Sequence, residues 1–142
     1  MVSIGKRSKV QVAKTRPIVF ERDGGECVIA GSIWETIQPC AGILTVQHRV
    51  GRGAGGSALW DEPKHLLTMC VVHNVLAEQS AEFANYCLRN GVSVPRWAAT
   101  QFDVQSIPVR YRDGWFLLSG CQRFPVSDQT AEAMITELYD LD

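Results

Sequence analysis

All three histidines of this chain fall between residues 46 and 78, together with the side chains best suited to chemistry. The stretch opens Val46-Gln47-His48-Arg49, passes through Gly51-Arg52-Gly53-Ala54-Gly55-Gly56-Ser57, and continues Pro63-Lys64-His65-Leu66-Leu67-Thr68-Met69-Cys70. It ends in Val71-Val72-His73-Asn74 and Glu78. A strand-borne histidine, a glycine-rich loop that lets backbone approach a ligand, a second polar side chain and a ligand-bearing helix are the parts of a metal-assisted site for cutting phosphodiesters. Arg49 and Arg52 flank the glycines and are candidate phosphate contacts.

The elements that must hold these residues can be read on either side of them. Ile43-Leu44-Thr45-Val46 is a β-type run that delivers Gln47 and His48 to a strand end. A helix is expected from near Cys70–His73 to about Asn90, with Leu76, Phe83, Ala84, Cys87 and Leu88 at helical spacing and Gly91 as its stop. Residues 26–40 read as loop, and 16–23 as a short helix or strand stopped by Gly24-Gly25. Beyond the helix, residues 108–118 suggest a β-hairpin turning at Asp113-Gly114. Asp128 can cap a final amphipathic helix with Ala131, Met134, Ile135, Leu138 and Leu141 on one face. Trp97, Trp115 and Phe116 are expected in a core between hairpin and helix.

Length and composition bound the rest. At 142 residues, with 46% hydrophobic and 20% charged residues, one globular domain is expected. No apolar run reaches the roughly 18 residues of a membrane span, and the basic N-terminus lacks an apolar segment behind it, so a cytoplasmic protein is expected. The net charge of −1 hides an asymmetry: residues 1–22 hold six basic residues against Glu21, a net of +5, which leaves −6 for the remainder. From Asp128 onward there are five acids and no base. A basic arm over 1–16 suits phosphate contacts or is simply a solvated terminus. Residues 17–91 then form the core, and 92–142 a C-terminal extension of the same domain. Five irregularly spaced cysteines do not suggest a disulfide framework; reduced thiols, some holding a metal, fit better.

Residues 27–78, about a third of the chain, resemble the small HNH endonucleases common in bacteriophages, a family of the ββα-metal type. The resemblance rests on Gln47-His48-Arg49, Gly53-Ala54-Gly55-Gly56-Ser57, His65-Leu66-Leu67-Thr68-Met69-Cys70, His73-Asn74 and Glu78, in the family's order. It implies an α+β fold with a ββα-metal core and zinc-braced loops, and hydrolysis of DNA in the cytoplasm of a bacterial host. By position, His48 falls on the family's general base, His65 on the residue that orients it, and Gln47 and Asn74 on ligands of a catalytic Mg²⁺ or Mn²⁺. A register with His73 as that ligand is the alternative.

Cys70 falls on a structural zinc cysteine, and His73 sits where its partner cysteine is expected. Cys27 keeps the first member of the family's other Cys-x-x-Cys pair, and Cys40 can fill the vacancy. The result is a candidate Cys₃His zinc set of Cys27, Cys40, Cys70 and His73; buried free thiols are the other reading. Gln47 and Asn74 depart from the family in a way that matters, because a hard divalent cation prefers charged oxygen and this pair offers only neutral carbonyls. The alternative function is therefore an HNH-derived module that binds nucleic acid or a protein partner without cutting, with the acidic C-terminal helix as a docking surface.

Overall fold

A computed structural model describes residues 4–51 and 61–139, with side chains from residue 13 onward. The described residues form a mixed α+β fold of six helices and two small antiparallel sheets. Arg52 and the glycines from Gly53 to Gly56 lie outside the described residues, as do the side chains of Lys6, Arg7 and Lys9.

The first element corrects the sequence expectation. Helix α1 spans Ile4–Arg22 and carries Pro17 inside it, so the basic segment is helix rather than an arm that gives way to a short element. Thr15, Val19 and Arg22 are buried at i, i+4 and i+7, a single stripe, while Lys14 and Arg16 are exposed. Proline and the polar composition mask this helix in the sequence. It ends at Gly24 and Gly25, both at positive φ, with Gly25 N–H donating to the Phe20 carbonyl at 2.8 Å.

Buried polar groups tie α1 to the rest. The Arg22 guanidinium pairs with Asp23 at 2.9 Å and donates to the carbonyls of Pro63 (2.7 Å) and Leu66 (2.6 Å). Asp23 also accepts from Thr68 N–H at 2.9 Å and from the Tyr111 hydroxyl at 2.7 Å. Burial pushes the Tyr111 hydroxyl far above its ordinary range, so it remains a donor.

A short helix α2 (Ile33–Ile37), capped by Ser32, interrupts an otherwise irregular stretch. Strand β1 (Leu44–His48) then pairs antiparallel with β2 (Leu66–Cys70), Leu44 opposite Cys70 and His48 opposite Leu66. Every residue of β2 is buried. Helix α3 (Val71–Gln79) leaves β2 with no connecting loop, and α4 (Ala81–Arg89) follows. The single long helix expected here is broken at Ser80, whose extended backbone ends α3 while its hydroxyl accepts from Phe83 N–H to start α4. Gly91 is the stop the sequence indicates: a Cβ there would fall 1.7 Å from the Pro108 carbonyl oxygen.

After a short helix α5 (Arg96–Gln101), strands β3 (Val109–Tyr111), β4 (Gly114–Ser119) and β5 (Gln122–Val126) form a meander. Tyr111 pairs with Gly114, which makes Arg112-Asp113 the two turn residues and Gly114 the first residue of β4. Strand β5 lies at the sheet edge, where Pro125 is tolerated; proline is why it does not read as a strand. Helix α6 (Asp128–Tyr139) is capped by Ser127 rather than Asp128, through Thr130 N–H at 3.2 Å.

Two clusters make the core. One joins Cys27, Ile29, Leu67, Met69, Phe83, Cys87 and Leu118; the other joins Val50, Ala98, Val104, Trp115, Ala131 and Ile135. Ala131 and Ile135 of the α6 stripe are buried in the second cluster, Met134 and Leu138 are partly buried beside Phe102 and Pro108, and Leu141 lies outside the described residues. Trp115 is buried and Phe116 packs against the first cluster, as expected, but Trp97 is half-exposed, its ring edge-to-face with Tyr139 at 6.0 Å. No helix among the described residues is long and apolar enough to cross a membrane.

Candidate functional site

Four ligand-type residues from three separate stretches of chain converge at the start of α3. Cys27 follows the α1 stop, Cys40 follows α2, Cys70 ends β2, and His73 lies in the first turn of α3. Their ligand atoms all lie within 4.8 Å of one another. His73 Nδ1 is 3.2 Å from Cys70 Sγ, 3.6 Å from Cys40 Sγ and 3.8 Å from Cys27 Sγ. A tetrahedral zinc with bonds of about 2.3 Å to sulfur and about 2.0 Å to nitrogen places those atoms about 3.5 Å apart. The observed set brackets that value.

The surroundings of the cluster also suit an ion. His73 Nε2 lies 2.7 Å from the Gln38 carbonyl, so Nε2 carries the proton and Nδ1 turns a lone pair toward the sulfurs. Backbone N–H groups of Ile29 and His73 point at Cys27 Sγ (3.4 Å) and Cys70 Sγ (3.5 Å), the donors a thiolate would need. With no cation, burial is the largest influence: it pushes the Cys27 thiol up to about 11 against the backbone N–H groups that oppose it, and lowers His73 below its ordinary value. A cation reverses that preference for neutral thiol. The Cys27, Cys40, Cys70 and His73 cluster can therefore hold a metal ion such as zinc. Cys87 lies in the apolar core with its thiol pushed up to about 12 by burial, and Cys121 is exposed in the β4–β5 turn; neither joins the cluster.

The second site lies at the other end of β1. His48 Nε2 is 2.5 Å from Asp61 Oδ1; the Asp61 side chain is fully buried and that of His48 is 18% exposed. The carboxylate accepts the Nε2 proton, which leaves Nδ1 as the nitrogen with a free lone pair. Asp61 was not apparent from the sequence. The signal was topological: β1 and β2 pair with His48 opposite Leu66, so the segment between them must return beside His48, and two acids, Asp61 and Glu62, lie near that return.

His65 lies near His48, whose Nε2 is held by Asp61. The His65 imidazole is buried and pushed down to about 4, first by burial and then by the nearby charges of Lys64 and Arg49. It is a neutral core group at pH 7.

Arg49 is a clear correction. It is 1% exposed, and its guanidinium donates to the carbonyls of Gly91 (2.8 and 3.1 Å), Ile107 (3.0 Å), Lys64 (3.3 Å) and Val104 (3.4 Å). Burial lowers it to about 10, still cationic at neutral pH. A side chain so engaged cannot contact phosphate; it clamps three connecting segments beneath the site.

Gln47 and His48 line one cavity of about 230 Å³ together with Glu78, Ser93, Gly51 and Cys87. Asn74 is not among its lining residues, and its amide donates to Thr45 Oγ1 at 3.4 Å. The structure therefore brings Gln47 and His48 together and sets Asn74 one step away along β1. No family model matches this chain, and neither curated proteins nor solved structures yield a match.

Proposed function

We propose that this chain is a metal-dependent endonuclease or nickase of the HNH kind, hydrolysing phosphodiester bonds of DNA. The observation that carries the reading is the partly exposed histidine at a strand end, held by a buried carboxylate and opening on a cavity beneath a hairpin and its following helix. Such a pair serves as a general base.

In this reading His48 Nδ1 takes a proton from a water molecule as its oxygen attacks phosphorus. Asp61 fixes the tautomer and opposes the positive charge that the arriving proton creates on the ring. The bond to the departing deoxyribose oxygen breaks, and solvent protonates that oxygen. A bound Mg²⁺ or Mn²⁺ would supply charge stabilisation on the phosphate oxygens. The zinc assigned to Cys27, Cys40, Cys70 and His73 is structural: it pins the stretch from residue 27 to 40 onto the β2–α3 junction, and so fixes the frame on which His48 is carried.

Plasmid nicking with Mg²⁺ or Mn²⁺ tests the reading. Wild-type protein should convert supercoiled to open-circular DNA, and His48→Ala should reduce this to background. Equal, background-level nicking by both removes it.

The second reading is a zinc-braced module that binds nucleic acid without cutting. The neutral amides of Gln47 and Asn74 favour it, since a hard cation is poorly held by them. Retained DNA binding with no nicking would select it.

A further inference from the structure

A second cavity lies between the end of β3, the Gly31-Ser32 turn and α4, away from His48 and Asp61. We infer that it holds the phosphate group of a phosphate ester, gripped by the Arg110 guanidinium with the Tyr86 hydroxyl as a further donor. That the ester belongs to a DNA backbone rests on the nuclease reading; the binding of the group does not.

The cavity measures about 220 Å³. Pockets that take drug-sized ligands run to roughly 300–1,000 Å³, so this one suits a small group. Its lining holds two guanidinium groups, Arg110 and Arg112, and no carboxylate. The neighbouring acids are engaged elsewhere. Glu26 is held side-on by Arg112 Nε and Nη2 at 3.0 and 3.3 Å, and Glu35 accepts from Gly31 N–H at 2.8 Å. Arg110 is exposed and has no ion-pair partner among the described residues. The cavity therefore carries one uncompensated positive charge, which matches the single negative charge of a phosphodiester.

The walls are fixed by packing. Gly31 has φ +79°, and a Cβ there would fall 2.8 Å from Arg112 Cγ, so the Arg112 stem lies directly on the turn. Ser32 Oγ accepts from Trp34 N–H at 3.2 Å, which leaves the Ser32 proton for the adjacent Tyr86 oxygen. The Tyr86 hydrogen is then available to a ligand. Burial raises Tyr86 above its ordinary value, so the phenol keeps that hydrogen. Arg110 and Arg112 are two residues apart at the end of β3, and a forked guanidinium is the group best shaped to hold phosphate oxygens.

The probe is dimethyl phosphate, a phosphodiester monoanion with no sugar or base. It is titrated into the zinc-loaded full chain and followed by the backbone amide NMR shifts of Gly31, Ser32 and Arg110, with chloride at equal ionic strength as the blank. Saturable shifts confined to the cavity are expected. Arg110→Ala should weaken binding about tenfold and Tyr86→Phe about fivefold, with circular dichroism showing both variants folded. Shifts that do not saturate, or unchanged affinity in either variant, overturn the proposal. A DNA arm identifies the source of the phosphate. Loss of one backbone contact in Arg110→Ala should make the slope of log affinity against log salt shallower by about 0.9. An unchanged slope, with dimethyl phosphate still bound by the wild type, assigns the cavity to a small phosphate ester instead. No DNA binding by the wild type would remove the nucleic-acid readings and leave the phosphate site standing.

Discussion

The Nε2 of His48 lies 2.5 Å from a carboxylate that solvent does not reach, that of Asp61. The pair joins residues 13 positions apart across the glycine-rich segment. Its consequence is testable by a nearly isosteric change. Asp61→Asn keeps the shape but offers an amide that can donate to the ring and turn it to the wrong tautomer. Nicking should fall by about a hundredfold or more in rate while DNA affinity stays the same. A rate within threefold of wild type would show that the carboxylate does not serve His48.

Metal content should follow the four converging ligands and no other cysteine. Protein purified without chelators should carry one zinc per chain by elemental analysis. Cys40→Ser should lower that content and the melting temperature together, and Cys87→Ser and Cys121→Ser should leave zinc unchanged. Cobalt substitution should give the intense absorption of thiolate ligands in a tetrahedral field. Less than a tenth of an equivalent of zinc in the wild type would refute the assignment.

Arg49 should behave as a structural residue. Arg49→Lys loses the forked donor set and leaves carbonyls of Gly91 and Ile107 without their partner, at about 1–3 kcal/mol each. Urea denaturation should show a loss of about 3 kcal/mol or more. If DNA binding is detected, the folded fraction of the variant should keep the wild-type salt dependence, because no phosphate contact is removed.

His65 gives the fold a pH dependence of known sign. Its folded value of about 4 lies below its ordinary value of 6.5, so the unfolded chain binds the proton more readily. The contribution to stability is present above about 6.5 and is lost as pH falls toward 4. Melting temperature should drop across that window, and His65→Gln should flatten the drop. An unchanged slope in the variant would assign the acid sensitivity elsewhere.

The metal cluster was legible through the resemblance, which set Cys27, Cys70 and His73 at ligand positions and left a vacancy that Cys40 could fill. Strand β1, the positive-φ stop at Gly91 and helix α6 were legible from local pattern. What was hidden depended on events far apart in sequence. The break at Ser80 is a contest between one long helix and a capped pair, decided by how α4 packs Phe83 into the core. The burial of Arg49 depends on carbonyls from residues 64, 91, 104 and 107, which no local window contains. Glu78 could be placed on the helix but not in one cavity with Gln47, since that needs the packing of α3 beside β1.

The hydrogen bond from Arg49 N–H to the His65 carbonyl, 2.7 Å, closes the base of the segment that carries the glycines. With both ends tied there and at β1–β2, its length is nearly free: a doubling adds only about 0.6 kcal/mol of closure entropy. Residues inserted ahead of Asp61 should leave the hairpin, the metal cluster and His48 where they are. The tie at the base, rather than the sequence ahead of Asp61, is then what holds His48 in place.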